Sequence, residues 1–543
     1  MYFQTFIEFV GHVVYCFTRS VAEHYDFDEA VESAHLFEYD PLTDTGLEWY
    51  GHPIDGEIIY QEYSNKNATT LDYLSSGRTD ARMLNAIATE SDEGLYHEPL
   101  DDQGMAWKRL RPSLLCSLWK SFYFGFLISI LGAIAVGTVS IVVYYLSYQT
   151  LLKCESYSIK FIPEKLQWMR TISEVIICSL YFYWFFLNCL FYFRPFQISG
   201  MKLKLCLLCL AFYTLDAIYR ICFQAFGITR TKLTPKEKVP LIVLFLLCVY
   251  LQACVIVKHF CGGPRKTQVK LLFILTTPAT LSYITAVLIS YFIYPAFNKE
   301  DRSGKMIIAI FTPLITVVVK GISRIYIQRL SRISHPGTSF VLLVPLYLGS
   351  AVMLRLLQLD LGLNQKFKSV VVIGVIHGIA EVIERSTMVF IDHICHQIFE
   401  KRRVPWGGFR TPRRERLAAD IAIMSMLYES IAIISVNGFL YFYEYFYFSD
   451  NSPLQLLQSF AITTSVPLAI EWFFTSLSIM IETRYQNMPI ITVWRKAWKR
   501  HILVAVINSV LVTIWASTYL FIAIKETLTD HKHRNCDMPF TKL

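Results

Sequence analysis

The stretch of chain between residues 369 and 396 carries ionisable side chains at the spacing of a single helical face. Successive helical residues turn by about 100°. Measured from His377, a stripe roughly 120° wide therefore holds five further ionisable residues: Glu381, Glu384, Arg385, Asp392 and His396. Apolar residues cover the rest of the surface of this predicted helix. Because a charge at the centre of a bilayer is costly, such a helix should turn the stripe towards neighbouring helices or a water-filled cavity.

Three interpretations of this stripe remain open. It can be structural, since Glu381 and Arg385 are four residues apart and can pair, and His377 can bond Glu381. It can be a proton or cation pathway, because clustered buried carboxyl groups can hold a proton near neutral pH and a histidine can relay it. It can also bind a metal, because the spacing H-x-x-x-E-x-x-E places His377, Glu381 and Glu384 on one face. The metal interpretation is weakened because the sequence shows no second helix with a pattern of His and carboxylate residues.

Two more carboxyl groups lie in the middle of apolar runs. Glu429 is within MLYESIAII and Glu471 is within PLAIEWFF, and neither has a basic residue within one helical turn. We therefore expect each of them to pair across helices or to be protonated.

Other charged residues in apolar runs have simpler interpretations. Asp216 and Arg220 are four residues apart and are expected to form a pair within one helix. Lys320 and Arg355 lie near the ends of predicted spans, where long side chains are expected to reach the membrane interface.

The composition indicates which elements must position these residues. Of 543 residues, 54% are apolar and only 17% are charged, well below the charge content of a soluble domain. Long uncharged runs recur, and within lipid such runs must be helical because a helix satisfies its own backbone groups. The sequence therefore predicts an all-α, polytopic transmembrane helical bundle of about eleven spans, at 121–147, 173–194, 204–226, 239–259, 271–296, 306–323, 339–358, 369–391, 419–447, 457–481 and 501–524.

The chain divides into three regions by composition. Residues 1–115 form an acidic N-terminal region, expected to be partly disordered and cytosolic, with a short apolar helix at 2–17. Residues 116–526 form the transmembrane domain, and 527–543 form a short tail. Basic residues cluster before the first span, in loop 401–416 and before the last span, which predicts that these sides are cytosolic.

The formal net charge of +8 does not favour nucleic acid, because the basic residues lie beside apolar runs rather than in one patch. The expected partners are the lipid bilayer, a small ion or solute, and anionic lipid headgroups at the basic loop 401–416. No P-loop, G-x-S-x-G or H-E-x-x-H motif occurs in its required context, which weighs against the enzyme classes that carry these motifs, and no cofactor is assigned. The sequence does not predict an oligomeric state.

The favoured function is transport, by a transporter or channel with a polar pathway through the helices at 369–396, 419–447 and 457–481. The proposed relay and charge-carrying residues are His377, Glu381, Glu384, Arg385, Glu429 and Glu471. No catalytic residue is assigned.

Two alternatives to transport are kept. One is a membrane-embedded enzyme that uses His377. Ile376-His377-Gly378, late in a bundle of about eleven spans, resembles membrane-bound O-acyltransferases, but the asparagine-bearing loop motif of that family is not evident. The other is a receptor or scaffold in which the buried charges are structural.

Overall fold

A computed structural model of the protein describes residues 114–143, 164–193, 200–227, 235–261, 264–328, 336–363, 368–401, 412–447, 453–484 and 490–528, with a few single positions between them. Every described element is helical, as the sequence predicts. The N-terminal region with its apolar helix at 2–17, positions 402–411 of the basic loop, and the tail beyond Leu528 lie outside the described residues.

The first half of the described chain forms seven helices. One short π-helical stretch, Ala133–Gly137, follows α1, and another, Ile289–Ile293, lies between α5 and α6. The helices are α1 (Leu114–Gly132), α2 (Glu164–Tyr192), α3 (Lys202–Ala225), α4 (Pro235–Phe260), α5 (Arg265–Leu288), α6 (Tyr294–Lys299) and α7 (Arg302–Gln328).

The second half forms five longer helices that follow a 3-10 segment, Pro336–Leu343. They are α8 (Val344–Leu363), α9 (Lys368–Lys401), α10 (Pro412–Tyr447), α11 (Pro453–Arg484) and α12 (Ile490–Leu528).

By length and composition, ten helical stretches in the described chain could cross a membrane, and they coincide with ten of the eleven predicted spans. The chain is therefore compatible with a multi-pass membrane protein. The exception is α9, which occupies the predicted span at 369–391 but carries too many charges to be counted with the others. With 34 residues, α9 is about 51 Å long, more than the roughly 30 Å thickness of a hydrocarbon core.

The helices at the centre of the bundle are α8 and α10. In the most apolar window of each, 89% of α8 with its preceding 3-10 turn and 78% of α10 is buried, against 22% for α7. The centre is surrounded by α1, α7, α9, α11 and α12, whereas α3 and α4 lie further out and reach it through α2 and α5. Large apolar side chains of α7 point outwards at helical spacing, as lipid-facing residues do: Ile307, Phe311, Leu314 and Val318.

The part of the α9 stripe from His377 to Arg385 faces the other helices, whereas the side chains of Asp392 and His396 lie outside the described part of the chain. Arg385 is buried, and the side chains of Glu381 and Glu384 are 14% and 16% exposed. Ile379 and Ile383, on the other side of the helix, are about half exposed. For the described residues, the predicted orientation of the stripe is the one in the structure.

Candidate functional site

Arg355 of α8 joins three helices through one guanidinium group. Its Nη2 donates to Glu429 Oε2 of α10 at 3.0 Å and to Glu471 Oε2 of α11 at 2.8 Å. Its Nη1 donates to Gln358 Oε1 at 2.8 Å. The prediction that Arg355 reaches the interface is wrong, because this side chain turns into the core to meet two carboxylates that have no basic neighbour on their own helices.

Glu381 of α9 lies beside this centre. It accepts a hydrogen bond from Ser425 Oγ of α10 at 2.8 Å, and Arg385 Nη1 lies 3.7 Å from the same carboxylate oxygen. Its carboxyl group also lies close to the carboxyl group of Glu471 in the interior of the bundle. Two ionised carboxylates at close range repel each other, and only a protonated carboxyl group can donate a hydrogen bond to its neighbour.

Arg385 makes its main contact with Glu482 of α11. Its Nε lies 3.0 Å from Glu482 Oε1, and its Nη2 bonds the second oxygen. Both side chains are more than 95% buried. The bidentate geometry makes this the most completely engaged pair of the site. The predicted pairing of Arg385 with Glu381 is the longer contact, and Glu482 was missed because it follows the end of the predicted span.

Glu384 pairs with the peripheral helix α7. Lys320 Nζ lies 3.4 Å from both carboxylate oxygens of Glu384 and 4.8 Å from the centre of the Tyr347 ring. Lys320 was expected at the interface, but its side chain is only 11% exposed and enters the bundle. Carboxylate and ring together stabilise the ammonium group at this depth.

His377 lies next to Arg355 and Glu381, one turn of α9 before Glu381. Its Nε2 atom is buried and has no hydrogen-bond partner among the described residues. The predicted bond from His377 to Glu381 is therefore not made through this ring nitrogen.

Two glycines of α9 explain how the charges come together. A Cβ atom on Gly378 would overlap the Phe474 ring of α11, and one on Gly374 would touch Ile470 at 3.6 Å. The absence of a side chain at these positions, four residues apart, lets α9 approach α11 closely. Because Gly378 lies three residues before Glu381, the close approach brings the Glu381 carboxyl group towards Glu471. The G-x-x-x-G spacing is visible in the sequence and could have indicated this contact.

We define the core charge network as the eight ionisable residues that connect α7 to α11. It contains five carboxyl groups and three cations, an excess of two acidic groups over basic ones: Glu381, Glu384, Glu429, Glu471 and Glu482 against Lys320, Arg355 and Arg385. Of the predicted site residues, only His377 lies beside this network rather than within its ion pairs.

A second buried charge group lies at the N-terminal end of α10. Arg416 Nε bonds Asp420 Oδ2 at 3.1 Å, and His501 Nε2 of α12 lies 3.1 Å from Asp420 Oδ1. The His501 ring stacks on Phe340 of the 3-10 segment, with centroids 4.5 Å apart. This group ties three elements together.

The pair predicted in α3 is confirmed, and it belongs to a small network with α2. Arg220 Nε lies 2.8 Å from Asp216 Oδ2, and Arg220 Nη1 lies 3.1 Å from Glu174 Oε2. Arg170 Nη2 lies 3.2 Å from the other oxygen of Glu174. Among the described ion pairs of this network, two acids thus meet two bases.

The metal interpretation of the stripe has no support in the geometry. In the part of the chain that the structure describes, no three His, Cys, Asp or Glu side chains are placed to hold a metal ion. Glu384 is turned to Lys320 and Glu381 to Ser425, so these two carboxylates do not converge with His377 on one point.

No protein-family model, curated protein or solved structure significantly matches this chain.

Proposed function

We propose that this protein is a proton-coupled membrane transporter in which the Glu381–Glu471 carboxyl pair binds the proton. The observation that carries the proposal is the close approach of these two carboxyl groups in the interior of the bundle, within a network that has more acids than bases. Two carboxylate anions repel each other, and a proton bound to the pair removes the repulsion and lets one carboxyl group donate a hydrogen bond to the other. Both residues also belong to the polar pathway that we predict from the sequence.

The surroundings of the pair support coupling to a change of shape. Glu471 shares Arg355 with Glu429, so gain or loss of the proton changes how strongly the guanidinium is drawn to each helix. Such a change of charge biases the packing of α8, α10 and α11. Ion pairs that link five helices have to exchange partners before a solute can pass, which favours a transporter over an open channel. His377, beside the pair, is the proposed relay.

The bound proton can be tested without knowing the transported solute. Infrared spectroscopy resolves the C=O stretch of a protonated carboxyl group from the amide band. In the purified full-length protein at neutral pH, we expect such a signal, and we expect it to diminish in Glu381→Gln and Glu471→Gln. Glu174→Gln is the matched control, because Glu174 lies in the balanced network of α2 and α3. A spectrum without a protonated carboxyl signal, or with one that both variants leave unchanged, contradicts the proposal.

Transport itself is tested in proteoliposomes with an imposed pH gradient and an entrapped pH-sensitive dye. Amino acids, sugars, organic cations and metal ions are added outside in turn, and the transported class is the one that accelerates loss of the gradient. We expect Glu381→Gln and Glu471→Gln to abolish this acceleration, while Glu174→Gln retains it and all three variants keep the thermal stability of a folded protein. Equal flux in the wild type and in both core variants refutes the mechanism.

A membrane-embedded enzyme that uses His377 is the second candidate. It is favoured by the buried Nε2 atom, which has no hydrogen-bond partner among the described residues and so is available to a substrate. For this function, His377→Gln should abolish formation of a product from a lipid-like substrate and leave the carboxyl signal unchanged. For the transporter, the same variant should slow proton movement. A purely structural role for the charges predicts neither flux nor product.

A further inference from the structure

We infer that the protein binds an anionic phospholipid at the corner where the N-terminal ends of α1 and α12 meet. We define the basic corner as five residues that share this end of the bundle: Trp119, Lys120, Arg495, Trp498 and Lys499. This inference is independent of the proposed transport function.

One contact joins the two helices at the corner. The Arg495 guanidinium of α12 lies over the Phe124 ring of α1, with Cζ 5.1 Å from its centre. Lys120 is one helical turn before Phe124, so it lies at the end of α1 that Arg495 contacts. On α12, Lys499 is one turn after Arg495, and its Nζ lies 6.0 Å from the centre of the Trp498 ring. Three positive charges are thus gathered at one end of the bundle.

Four of the five side chains of this corner are exposed, and Lys499 is partly buried. Lys120 and Arg495 are exposed, Trp119 is 75% exposed and Trp498 is 40% exposed. Exposed tryptophan beside basic residues is the combination found at the level of lipid headgroups. Cations there attract anionic lipids, with roughly 1 kcal/mol for each Lys or Arg near the surface.

An apolar track leads away from the corner along α1. Below Trp119, large exposed apolar residues recur at intervals of three or four, so they form one stripe down the helix: Tyr123, Phe126, Ile130 and Ile134. The stripe is suited to a lipid acyl chain, and the basic corner above it is suited to the headgroup phosphate. The loop charges also predict this end to be cytosolic, the side on which phosphatidylserine is concentrated. An anionic phospholipid matches both the apolar stripe of α1 and the basic corner.

Native mass spectrometry of the full-length protein in a neutral maltoside detergent tests the site. We expect the protein to retain dioleoyl phosphatidylserine more strongly than dioleoyl phosphatidylcholine. Neutralising one charge of the corner should weaken phosphatidylserine binding about fivefold, and Lys120→Gln/Arg495→Gln/Lys499→Gln should weaken it on the order of a hundredfold. Lys120 and Arg495 are exposed and Lys499 is partly buried, and an unchanged thermal midpoint will show that the variant is folded.

The matched control is Lys299→Gln/Lys305→Gln, on the opposite end of the bundle, where Lys305 Nζ lies 5.0 Å from the centre of the Phe297 ring. We expect this variant to bind phosphatidylserine as the wild type does. Inorganic phosphate at the same concentration should not displace the lipid. Equal loss in the control and the triple variant, unchanged binding in the triple variant, equal binding of phosphatidylcholine, or displacement by phosphate would each overturn the inference.

Discussion

Replacing Arg355 by Met should destabilise the bundle by more than its hydrogen bonds account for. Arg355 donates three hydrogen bonds to side chains, and side-chain hydrogen bonds between membrane helices average about 0.6 kcal/mol, which amounts to about 2 kcal/mol. The substitution also leaves Glu429 and Glu471 without their shared cation. Breaking a buried ion pair by removing one partner costs roughly 3–5 kcal/mol. We therefore expect a loss of roughly 3–5 kcal/mol for Arg355→Met.

Denaturation by dodecyl sulfate in mixed micelles measures this free energy of unfolding. The decisive comparison is rescue: Arg355→Met/Glu471→Gln should recover part of the loss, because it removes one of the two carboxyl groups that the first change leaves without a cation. Lys204→Met, at an exposed position of α3, is the control and should change stability by less than about 0.5 kcal/mol. A loss of 2 kcal/mol or less for Arg355→Met, together with no rescue in the double variant, would refute the reasoning that the charges dominate.

Two further predictions concern the packing of α9 on α11. Gly378→Ala forces a Cβ atom into the Phe474 ring, so it should lower the free energy of unfolding by about 1–3 kcal/mol and reduce any flux. The control is Gly321→Ala, where a Cβ atom would have nothing within 4 Å; it should be neutral or stabilising in the same denaturation assay. Arg385→Met alone should be strongly destabilising because it strands the buried Glu482, and Arg385→Met/Glu482→Leu should be close to the wild type; a double variant as unstable as the single one would show that the pair is needed for more than charge compensation.

The sequence predicted the helices of this fold well, because the requirement for long apolar runs in lipid is a local property. It also predicted the orientation of the α9 stripe, since the period of a helix fixes which residues share a face. For the same reason, the pair between Asp216 and Arg220 could be found from their separation of four residues.

Contacts between distant helices could not be predicted in the same way. The partner shared by Glu429 and Glu471 is Arg355, which lies 74 and 116 residues before them, and no local pattern connects the three. Lys320 was misplaced because a position near a span end was taken to indicate exposure to the interface. Its actual environment depends on α7 packing against α8 and α9, which is a property of the whole bundle.

The contrast between two charge networks bears on whether the core charges serve only to join helices. In the network of α2 and α3, Glu174 and Asp216 meet Arg170 and Arg220, so acids and bases balance among the described ion pairs. Such a balance is what structural pairing requires, since each unpaired buried charge adds a penalty. The core charge network, by contrast, has two more acids than bases. Because the network of α2 and α3 is balanced, this excess of acids is not a general property of the buried charges. An excess of carboxyl groups at this depth is stable only when protons or cations neutralise it, and a group that has to bind a proton can also release one.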